Sequence, residues 1–342
     1  MSEKKILITG ANGFLGSNLT KFLSLYSDYK VFAMVRPQGV VNYLHEFQEG
    51  ENPGENRFEI IEVDLSDNIS IERALVGMDI VIHLAGLVTD WGKEEDFYKL
   101  NVEGTNRILM GAEKAGVKKV IFLSSLTVHS MNGHRYSDES APRDMNTYPY
   151  GVSKKIGEDL VLEWAARNEN AQSAIVRPGF IIYGPYDKNS FINVIDLIKN
   201  GKFCFIDHGK RLVSYVYVEN LCFGIKRLVD ALKIEGAYNI LDGNMSWKEW
   251  VKEWADAINV RVPKLSVSYW FILPVAALLE GLFKFINSKQ APILTYYRVR
   301  IMYKDLAFIG KRMKREIGYD PPVSLEESIK TTIEFYSKSR NE

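Results

Sequence analysis

The sequence predicts an α/β protein built on a doubly wound parallel sheet, followed by a smaller, partly helical C-terminal lobe. Three observations support this fold class. Short β-branched runs alternate with helical patterns through the first half of the chain, as expected for right-handed βαβ units with helices on both sheet faces. A glycine-rich turn follows the first run. After Pro178 the pattern becomes irregular, with Gly, Pro and aromatic residues interspersed.

Length and composition limit the class of protein. At roughly 150 residues per domain, 342 residues predict about two domains. Lysine plus arginine equals aspartate plus glutamate at 43 each, and zero net charge argues against nucleic acid as a partner. Two cysteines, and five histidines without ligand spacing, predict neither a disulfide framework nor a metal site. The polar start without a signal-type apolar run predicts a cytoplasmic protein.

The elements of the first half follow from apolar runs and helical spacing. Strands are predicted over Lys5–Thr9, Lys30–Val35, Phe58–Val63, Asp79–Leu84, Lys119–Leu123 and Ala174–Arg177. Helices are predicted over Leu15–Ser24, Phe97–Ala115 and Tyr150–Ala166. Two glycines and a proline predict a surface loop over Glu49–Asn56.

The first strand runs directly into a turn with three glycines. At such a strand-to-helix junction Gly10 permits the tight turn, Gly13 lets the backbone approach a pyrophosphate, and Gly16 lets the helix pack closely on the strand. The helix N-terminus then favours the phosphate charge. The turn therefore predicts an NAD(P) site of the Rossmann type, formed here by Gly10, Asn12, Gly13, Phe14, Leu15 and Gly16.

Residues after the second and third strands bear on the choice of cofactor. An acidic residue after the second strand would favour the ribose hydroxyls of NAD, whereas Arg36 suits the 2′-phosphate of NADP. We therefore expect NADP in preference to NAD. Asp64 closes the third strand and Leu65 follows it. The Asp64 carboxylate would either accept from the adenine amino group or cap the next turn.

Tyr150 and Lys154 form a Tyr-x-x-x-Lys pair at a predicted helix start that Pro149 favours. Positions four apart share a helix face, so Lys154 would lie beside Tyr150 and the cofactor ribose. Its charge would lower the pKa of the phenol towards neutrality. The run that includes Ser125 leaves the fifth strand at the same sheet edge, and Asn101 lies in the preceding helix.

Together these motifs resemble the extended short-chain dehydrogenase/reductase superfamily over nearly the whole chain. The resemblance implies that Ser125 orients the substrate, because it stands three residues before Val128, with Ser124 as the neighbouring candidate. It also implies hydride transfer between substrate and nicotinamide, with the proton carried by a tyrosine. The implied catalytic set is Ser125, Tyr150, Lys154 and Asn101.

The same resemblance implies further residues that contact the cofactor. Leu84, Ala85 and Gly86 match the segment under the adenosine and ribose. Tyr150 and Lys154 are expected at the cofactor as well as at the substrate, and so is Pro178, which follows the sixth predicted strand.

Three positions depart from the pattern of sugar-nucleotide members. Phe180 stands where those members have an asparagine, Val213 where they have an arginine, and His129 where epimerases usually have a tyrosine. Arg211 is two residues from Val213 and would be able to substitute. The loss of two polar contacts to a pyrophosphate disfavours nucleotide sugars.

The second half is similar to the 3β-hydroxysteroid dehydrogenase family, including its sterol-4-carboxylate 3-dehydrogenase branch. The similar segments are 209–213, 218–220, 238–240, 263–270 and 318–327. The similarity implies a small hydrophobic substrate, an alcohol or ketone that is sterol-like or acyl-like. The alternatives are a sugar-nucleotide epimerase or dehydratase, and a non-catalytic dinucleotide-binding protein. The superfamily resemblance also implies a homodimer through the helices over Phe97–Ala115 and Tyr150–Ala166.

The domain boundary is predicted near Pro178. Residues 1–178 would form the NAD(P)-binding Rossmann domain and residues 179–342 the substrate lobe. Leu212–Val218 has the pattern of a strand and Asn220–Leu232 that of a helix. The Rossmann domain would therefore be rejoined by about 212–233.

One stretch of the lobe, residues 269–286, is rich in large apolar side chains. At about 18 residues it is marginal for a membrane span, and it contains Pro274, Glu280 and Lys284. Two hypotheses remain for it. It forms either a helix that walls the substrate pocket or a monotopic helix that makes peripheral contact with a bilayer.

Overall fold

The computed structural model describes residues 3–49, 58–143, 147–187 and 191–338. The loop predicted over Glu49–Asn56 lies outside these ranges, apart from Glu49 at the end of a helix. The strands are β1 Lys5–Thr9, β2 Lys30–Val35, β3 Phe58–Glu62, β4 Ile80–His83, β5 Lys119–Leu123, β6 His134–Ser137, β7 Gln172–Pro178, β8 Ile181–Tyr183, β9 Phe205–Ile206, β10 Leu212–Tyr217, β11 Glu235–Ile240, β12 Gly243–Ser246, β13 Ser266–Val267 and β14 Leu306–Phe308.

The α-helices lie between and after these strands. They are α1 Phe14–Tyr26, α2 Asn42–Glu49, α3 Asn68–Leu75, α4 Glu94–Phe97, α5 Gly104–Ala115, α6 Pro149–Arg167, α7 Phe191–Lys199, α8 Val218–Asp230, α9 Trp247–Ala257, α10 Tyr269–Phe285, α11 Tyr296–Tyr303 and α12 Leu325–Lys338. Short 3₁₀ turns span Leu126–Val128 and Asp207–Gly209, and π-helical turns span Tyr98–Glu103 and Met313–Ile317.

Seven parallel strands form the main sheet in the order β11-β7-β5-β4-β1-β2-β3. The chain winds from β1 through β2 to β3, then crosses to β4 and winds the other way. The strand order therefore reverses between β1 and β4, and ligands of such sheets bind at the carboxyl ends of the strands at this point. The predicted doubly wound fold is confirmed. All six predicted strands are present, and those over 5–9, 30–35 and 119–123 have the predicted bounds.

Alternation along the buried strands distributes the core to both faces of the sheet. Ile6 and Ile8 of β1 join the apolar cluster that includes residues of α1 and α8. Leu7, between them, joins the cluster that includes residues of α3, α5 and α6. Successive side chains of a strand point to opposite faces, so a continuously apolar strand requires helices on both sides.

The chain returns to the main domain one element later than expected, at the predicted helix and not at the strand before it. The strand predicted from Leu212 is β10, and it belongs to a second sheet of order β12-β10-β14-β6, with β8 also on β10. The return is made by α8, whose carboxyl-terminal carbonyls accept from Lys119, and by β11, which pairs with β7. Residues 179–217 therefore belong to the lobe. The main domain gains the strand β11, which ends at Ile240.

The second sheet supports the aromatic part of the apolar cluster that also contains Ile6 and Ile8 of the main sheet. Trp250 and Trp254 of α9 are fully buried and pack edge-on against Tyr183 of β8, with ring centroids 5.1 and 5.5 Å apart. This core holds the lobe over the carboxyl edge of the main sheet through the short β7–β8 connection, which consists of Gly179 and Phe180.

Candidate active site

The glycine turn after β1 has the geometry that its sequence predicts. Gly10 has a φ of +69°, and a Cβ there would lie 2.8 Å from the Ala85 Cα. The Gly13 amide donates to the Gly10 carbonyl at 3.0 Å. A Cβ at Gly16 would lie 2.1 Å from that carbonyl oxygen. Gly10 and Gly16 therefore exclude a side chain, whereas a Cβ at Gly13 would make a tight contact of 3.2 Å with the Gly10 carbonyl oxygen.

The residues present fit a dinucleotide. No side chain caps the start of α1 at Phe14, so its first amide groups are left for an anion. The Asn12 side chain is held against the next segment, where its Nδ2 donates to the Val40 carbonyl at 3.2 Å. Leu15 is buried beneath the turn. This backbone cradle is the part of the site that would hold the pyrophosphate.

Substitution of Gly16 by alanine is expected to weaken cofactor binding. The added methyl group would overlap the Gly10 carbonyl, so the turn would have to shift. Such a shift costs about 1–3 kcal/mol, which corresponds to a roughly ten- to hundredfold loss of cofactor affinity. Fluorescence titration with NADPH and NADH measures this loss. Gly281→Ala is the control, because a Cβ at Gly281 meets nothing within 4 Å. Unchanged affinity in Gly16→Ala would contradict this account of the turn.

Two of the expected cofactor contacts lie at the outer rim. Arg36 is exposed at the end of β2, where its carbonyl accepts from the Gly39 amide at 3.0 Å. Asp64 Oδ1 accepts from the amide and the hydroxyl of Ser66, both at 2.8 Å, and these bonds lower its pKa. The turn-capping alternative for Asp64 is therefore present in the structure. Leu65 follows it, half-buried.

A buried polar chain joins the glycine turn to the segment after β4. The Ala85 amide donates to Thr9 Oγ1 at 3.1 Å, so the Thr9 hydroxyl proton is left for His83 Nδ1 at 2.7 Å. His83 Nε2 then donates to Thr105 Oγ1 at 3.0 Å, and Thr105 donates to the Asn101 carbonyl at 2.6 Å. Burial, with the charge of Lys154, lowers the pKa of His83 to about 3, so this histidine stays neutral.

Asn101 lies in a π-helical turn inside the helix predicted over 97–115. The wider turn leaves the Asn101 carbonyl to the Thr105 hydroxyl and turns the side chain inward, where it is buried. Its Oδ1 accepts from the Leu87 amide at 2.6 Å, and its Nδ2 donates to the Leu87 carbonyl at 3.1 Å and to Ser153 Oγ at 2.9 Å. Asn101 thereby ties the segment after β4 to α6.

Lys154 is buried on α6 and points to the carboxyl edge of the sheet. Its Nζ donates to the Leu123 carbonyl at 2.8 Å. A Cβ at Gly86 would lie 3.5 Å from that Nζ and 2.8 Å from Asn101 Oδ1, so these three predicted residues meet in one place. Burial lowers the pKa of Lys154 to about 8, partly offset by Glu158. Leu84, just before this segment, is buried.

The two adjacent serines have different hydrogen-bond partners. Ser124 is buried and its Oγ donates to Glu158 Oε1 at 2.6 Å. Ser125 is half-buried, accepts from the hydroxyl of Thr127 at 2.9 Å, and forms a hydrogen bond with Tyr150. Of the two candidates, only Ser125 faces the tyrosine.

The expected lowering of the Tyr150 pKa is not found. Burial raises the pKa of Tyr150 to about 12, against the opposing hydrogen bond from Ser125. Lys154, whose Nζ donates to the Leu123 carbonyl, does not contribute to this shift. The phenol is therefore protonated at neutral pH. The other cofactor residue at this edge, Pro178, is buried at the end of β7.

Comparison with known proteins places this site in a family. Residues 6–240 match the model described as "NAD dependent epimerase/dehydratase family". The chain belongs to the NAD dependent epimerase/dehydratase family. Its relatives in that family are enzymes of the extended short-chain dehydrogenase/reductase type, and the predicted resemblance and the prediction of an oxidoreductase enzyme are confirmed.

Two relatives and one crystal structure illustrate the similarity. "3beta-hydroxysteroid-dehydrogenase/decarboxylase isoform 1" of Arabidopsis thaliana is 27% identical, with 100% of this chain and 82% of the relative covered. "N-acetyl-alpha-D-glucosaminyl-diphospho-ditrans,octacis-undecaprenol 4-epimerase" of Escherichia coli O157:H7 is 27% identical, with 96% and 94% covered. UDP-glucuronic acid 4-epimerase of Bacillus cereus, crystallised with NAD, has a TM-score of 0.76 at 20% identity, with 98% and 99% covered.

Two departures from the sugar-nucleotide pattern, and the arginine that would be able to substitute for one of them, have definite places in the structure. Phe180 is half-buried, with its ring centroid 6.0 Å from that of Phe308. Val213 is fully buried in β10. Arg211 lies over the Tyr303 ring, 5.2 Å from its centroid, with its Nη1 4.0 Å from Asp305 Oδ2.

Sequence reasoning missed a buried ionic cluster behind the family's catalytic residues. Glu158 accepts from Arg177 Nε and Nη2, both at 2.7 Å, and from Arg143 Nη1 at 2.6 Å. His129 Nδ1 faces the Pro142 carbonyl at 3.0 Å and therefore donates, so that Nε2 accepts from Arg177 at 3.2 Å. Burial lowers the pKa of His129 to about 4. Glu158 lies four residues after Lys154, and this helical spacing was the available signal.

Sequence reasoning also missed the aromatic wall on the substrate side. Tyr297 of α11 packs edge-on against Tyr148, with ring centroids 4.6 Å apart. Burial, with Tyr150 as a neighbour, raises the pKa of Tyr297. The segment from α10 to α11 is tied to the main domain by Arg298, whose Nε and Nη2 donate to the Asp90 carboxylate at 2.6 and 2.8 Å. No local motif marks these residues.

Proposed function

We propose that the chain is an NADP-preferring oxidoreductase that interconverts a hydrophobic secondary alcohol and the corresponding ketone, either sterol-like or acyl-like. The observation that carries the proposal is the meeting of Lys154, Asn101 and Gly86 at the carboxyl edge of the sheet, with Ser125 beside a protonated Tyr150. The apolar residues Phe180 and Val213 support the substrate class, because a nucleotide sugar needs polar donors for its pyrophosphate.

The names of the two relatives support the same substrate class from different chemistry. One is a dehydrogenase of a hydroxysteroid and the other an epimerase of a polyprenol-linked sugar. Both names describe a lipid. The two relatives catalyse different reactions, but each acts on a lipophilic substrate. The proposal therefore includes a lipophilic substrate for this chain.

The residues of the chain have distinct roles in the proposed reaction. A bound NAD(P) supplies the hydride donor or acceptor. The hydroxyls of Ser125 and Tyr150 donate to the substrate oxygen, and Tyr150 gives its proton to that oxygen when a ketone is reduced. A phenol with a pKa of about 12 is protonated as this direction requires. Lys154 would position the ribose of the cofactor, and Asn101 holds the adjoining segment in place.

The preference for NADP rests on Arg36 and has its own test. An arginine paired with a phosphate is worth about 1.5–3 kcal/mol, so Arg36→Ala is expected to weaken NADPH binding roughly ten- to hundredfold while NADH binding stays the same. Titration with both cofactors measures this. Arg73→Ala, also exposed but on α3, is the control. Equal losses for both cofactors would contradict a contact with the 2′-phosphate.

Formation and consumption of reduced cofactor test the reaction itself. Purified protein is assayed with NADP and NAD against 3β-hydroxysteroids, 3-ketosteroids, β-keto acyl compounds and UDP-sugars, with Tyr150→Phe as the blank. Tyr150-dependent turnover of a lipophilic substrate is expected. Conversion of a UDP-sugar without net redox change would instead identify an epimerase. A full panel without any Tyr150-dependent product would favour the non-catalytic alternative.

A further inference from the structure

The helix α10 exposes its apolar side chains to solvent instead of burying them. Only Tyr269 and Ala276 of its residues are buried. Phe271, Leu278 and Phe285 are 80%, 75% and 85% exposed. A helix on the surface of a globular protein normally turns its apolar face to the core, and exposed patches of this kind mark interaction sites.

The exposed residues lie on one face of the helix. The spacing of four, three, four and three residues places them in a continuous line, which we call the apolar stripe: Phe271, Val275, Leu278, Leu282 and Phe285. Trp270 and Ile286 flank this line and are 72% and 60% exposed. Ile293, in the connection to α11, is 88% exposed.

The charges around the apolar stripe indicate a partner with a negatively charged surface. Residues 260–304 contain seven lysines and arginines and one acidic residue, Glu280, in a chain of zero net charge. Lys289 is exposed at one end of the helix, beside Lys284, which is also exposed and pairs with Glu280 at 2.6 Å. At the other end Arg211 and Lys304 lie over the Tyr303 ring, which stacks on Tyr269 at 3.6 Å between centroids.

We propose that the apolar stripe docks on the surface of an anionic lipid bilayer. An exposed apolar face with cations at both ends inserts its side chains at the boundary of headgroups and acyl chains while the cations meet the anionic headgroups. A second copy of this chain would place the same excess of positive charge against itself, and like charges across an interface are unfavourable. Within the described part of the chain, the length and apolarity of every helix fall short of what crossing a bilayer requires.

The docked orientation has a consequence for the site. Helix α10 packs against α11 through Val299, and α11 carries Tyr297 beside Tyr150. A lipophilic substrate dissolved in the bilayer would therefore meet the lobe on the side that borders the site. The docking itself does not depend on the proposed function and stands on the exposure and charge of α10.

Vesicle flotation tests the proposal with the full chain. Binding is measured to phosphatidylcholine vesicles with and without phosphatidylglycerol. Stronger binding to the anionic vesicles is expected, with a loss at high salt. Phe271→Ser and Leu278→Ser are each expected to lower the partition roughly tenfold. Leu232→Ser is the matched control, because Leu232 is 97% exposed outside the stripe, and its partition should not change.

Two further measurements distinguish docking on lipid from association between two copies of the chain. Trp270 is the exposed tryptophan of the six, so vesicles of brominated lipid should quench fluorescence in the wild type but much less in Trp270→Phe. Light scattering reports the oligomeric state. The proposal is overturned if the wild type does not bind anionic vesicles, or if Phe271→Ser converts a dimer to a monomer, since a second copy would then cover the stripe.

Discussion

Replacement of Tyr150 by phenylalanine is expected to abolish most turnover and to leave cofactor binding intact. The phenol is the proposed proton donor to the substrate oxygen, and proton transfer by a positioned side chain contributes about 10²- to 10⁴-fold to a rate. The aromatic ring, which packs 6.4 Å from that of Phe97, is kept in the variant. We therefore expect kcat to fall by that factor while the affinity for NADPH changes little.

The measurement is a steady-state assay on the substrate that the panel identifies, together with a cofactor titration. Tyr98→Phe is the control, since Tyr98 lies in the neighbouring π-helical turn and is 52% exposed. Its kcat should equal that of the wild type. If Tyr150→Phe retained full activity, the assignment of the proton to Tyr150 would be wrong, whatever the substrate.

Substitution of Glu158 by glutamine is expected to produce the largest loss of stability. The carboxylate is fully buried and satisfies Arg177, which is itself buried, and Ser124. Removal of one member of a buried ion pair leaves the other charge without compensation, which costs about 3–5 kcal/mol. Urea unfolding measures the change in the free energy of unfolding. Glu163→Gln, exposed on the same helix, should stay within about 0.5 kcal/mol of the wild type.

The pH dependence of this effect has a definite sign. Burial opposes the ionisation of Glu158, but the hydrogen bonds and charge of Arg177, with Ser124 and Arg143, outweigh it and lower the pKa. The stabilisation is therefore present above the ordinary pKa of a glutamate and is lost as the pH falls through the lower value of the folded state. The stability curves of wild type and Glu158→Gln should converge in acid. A difference that does not depend on pH would mean that packing, not charge, explains the loss.

Features of the fold that depend on residues close together in the chain were predictable from the sequence. Apolar runs identify β1, β2 and β5 with their bounds, because strand formation in a sheet buried on both faces requires continuous apolar sequence. The glycine turn was predictable from its spacing, since Gly10 has a positive φ and a Cβ at Gly16 would meet the Gly10 carbonyl six residues earlier. The helix that returns the chain to the main domain was predicted, but the strand from Leu212 lies in the second sheet, because a strand pattern does not say which sheet the strand joins.

The sequence by itself determined the fold class, the glycine turn and the spacing that puts Tyr150 and Lys154 on one helix face, because each of these depends on local periodicity or backbone conformation. The tertiary structure decided which partner each side chain takes. It gives Ser124 to Glu158 and Ser125 to Tyr150, and it directs Lys154 to the Leu123 carbonyl. It also leaves the apolar stripe of α10 uncovered. These outcomes depend on contacts between residues far apart in the chain, and burial then sets the charge states that local sequence cannot specify.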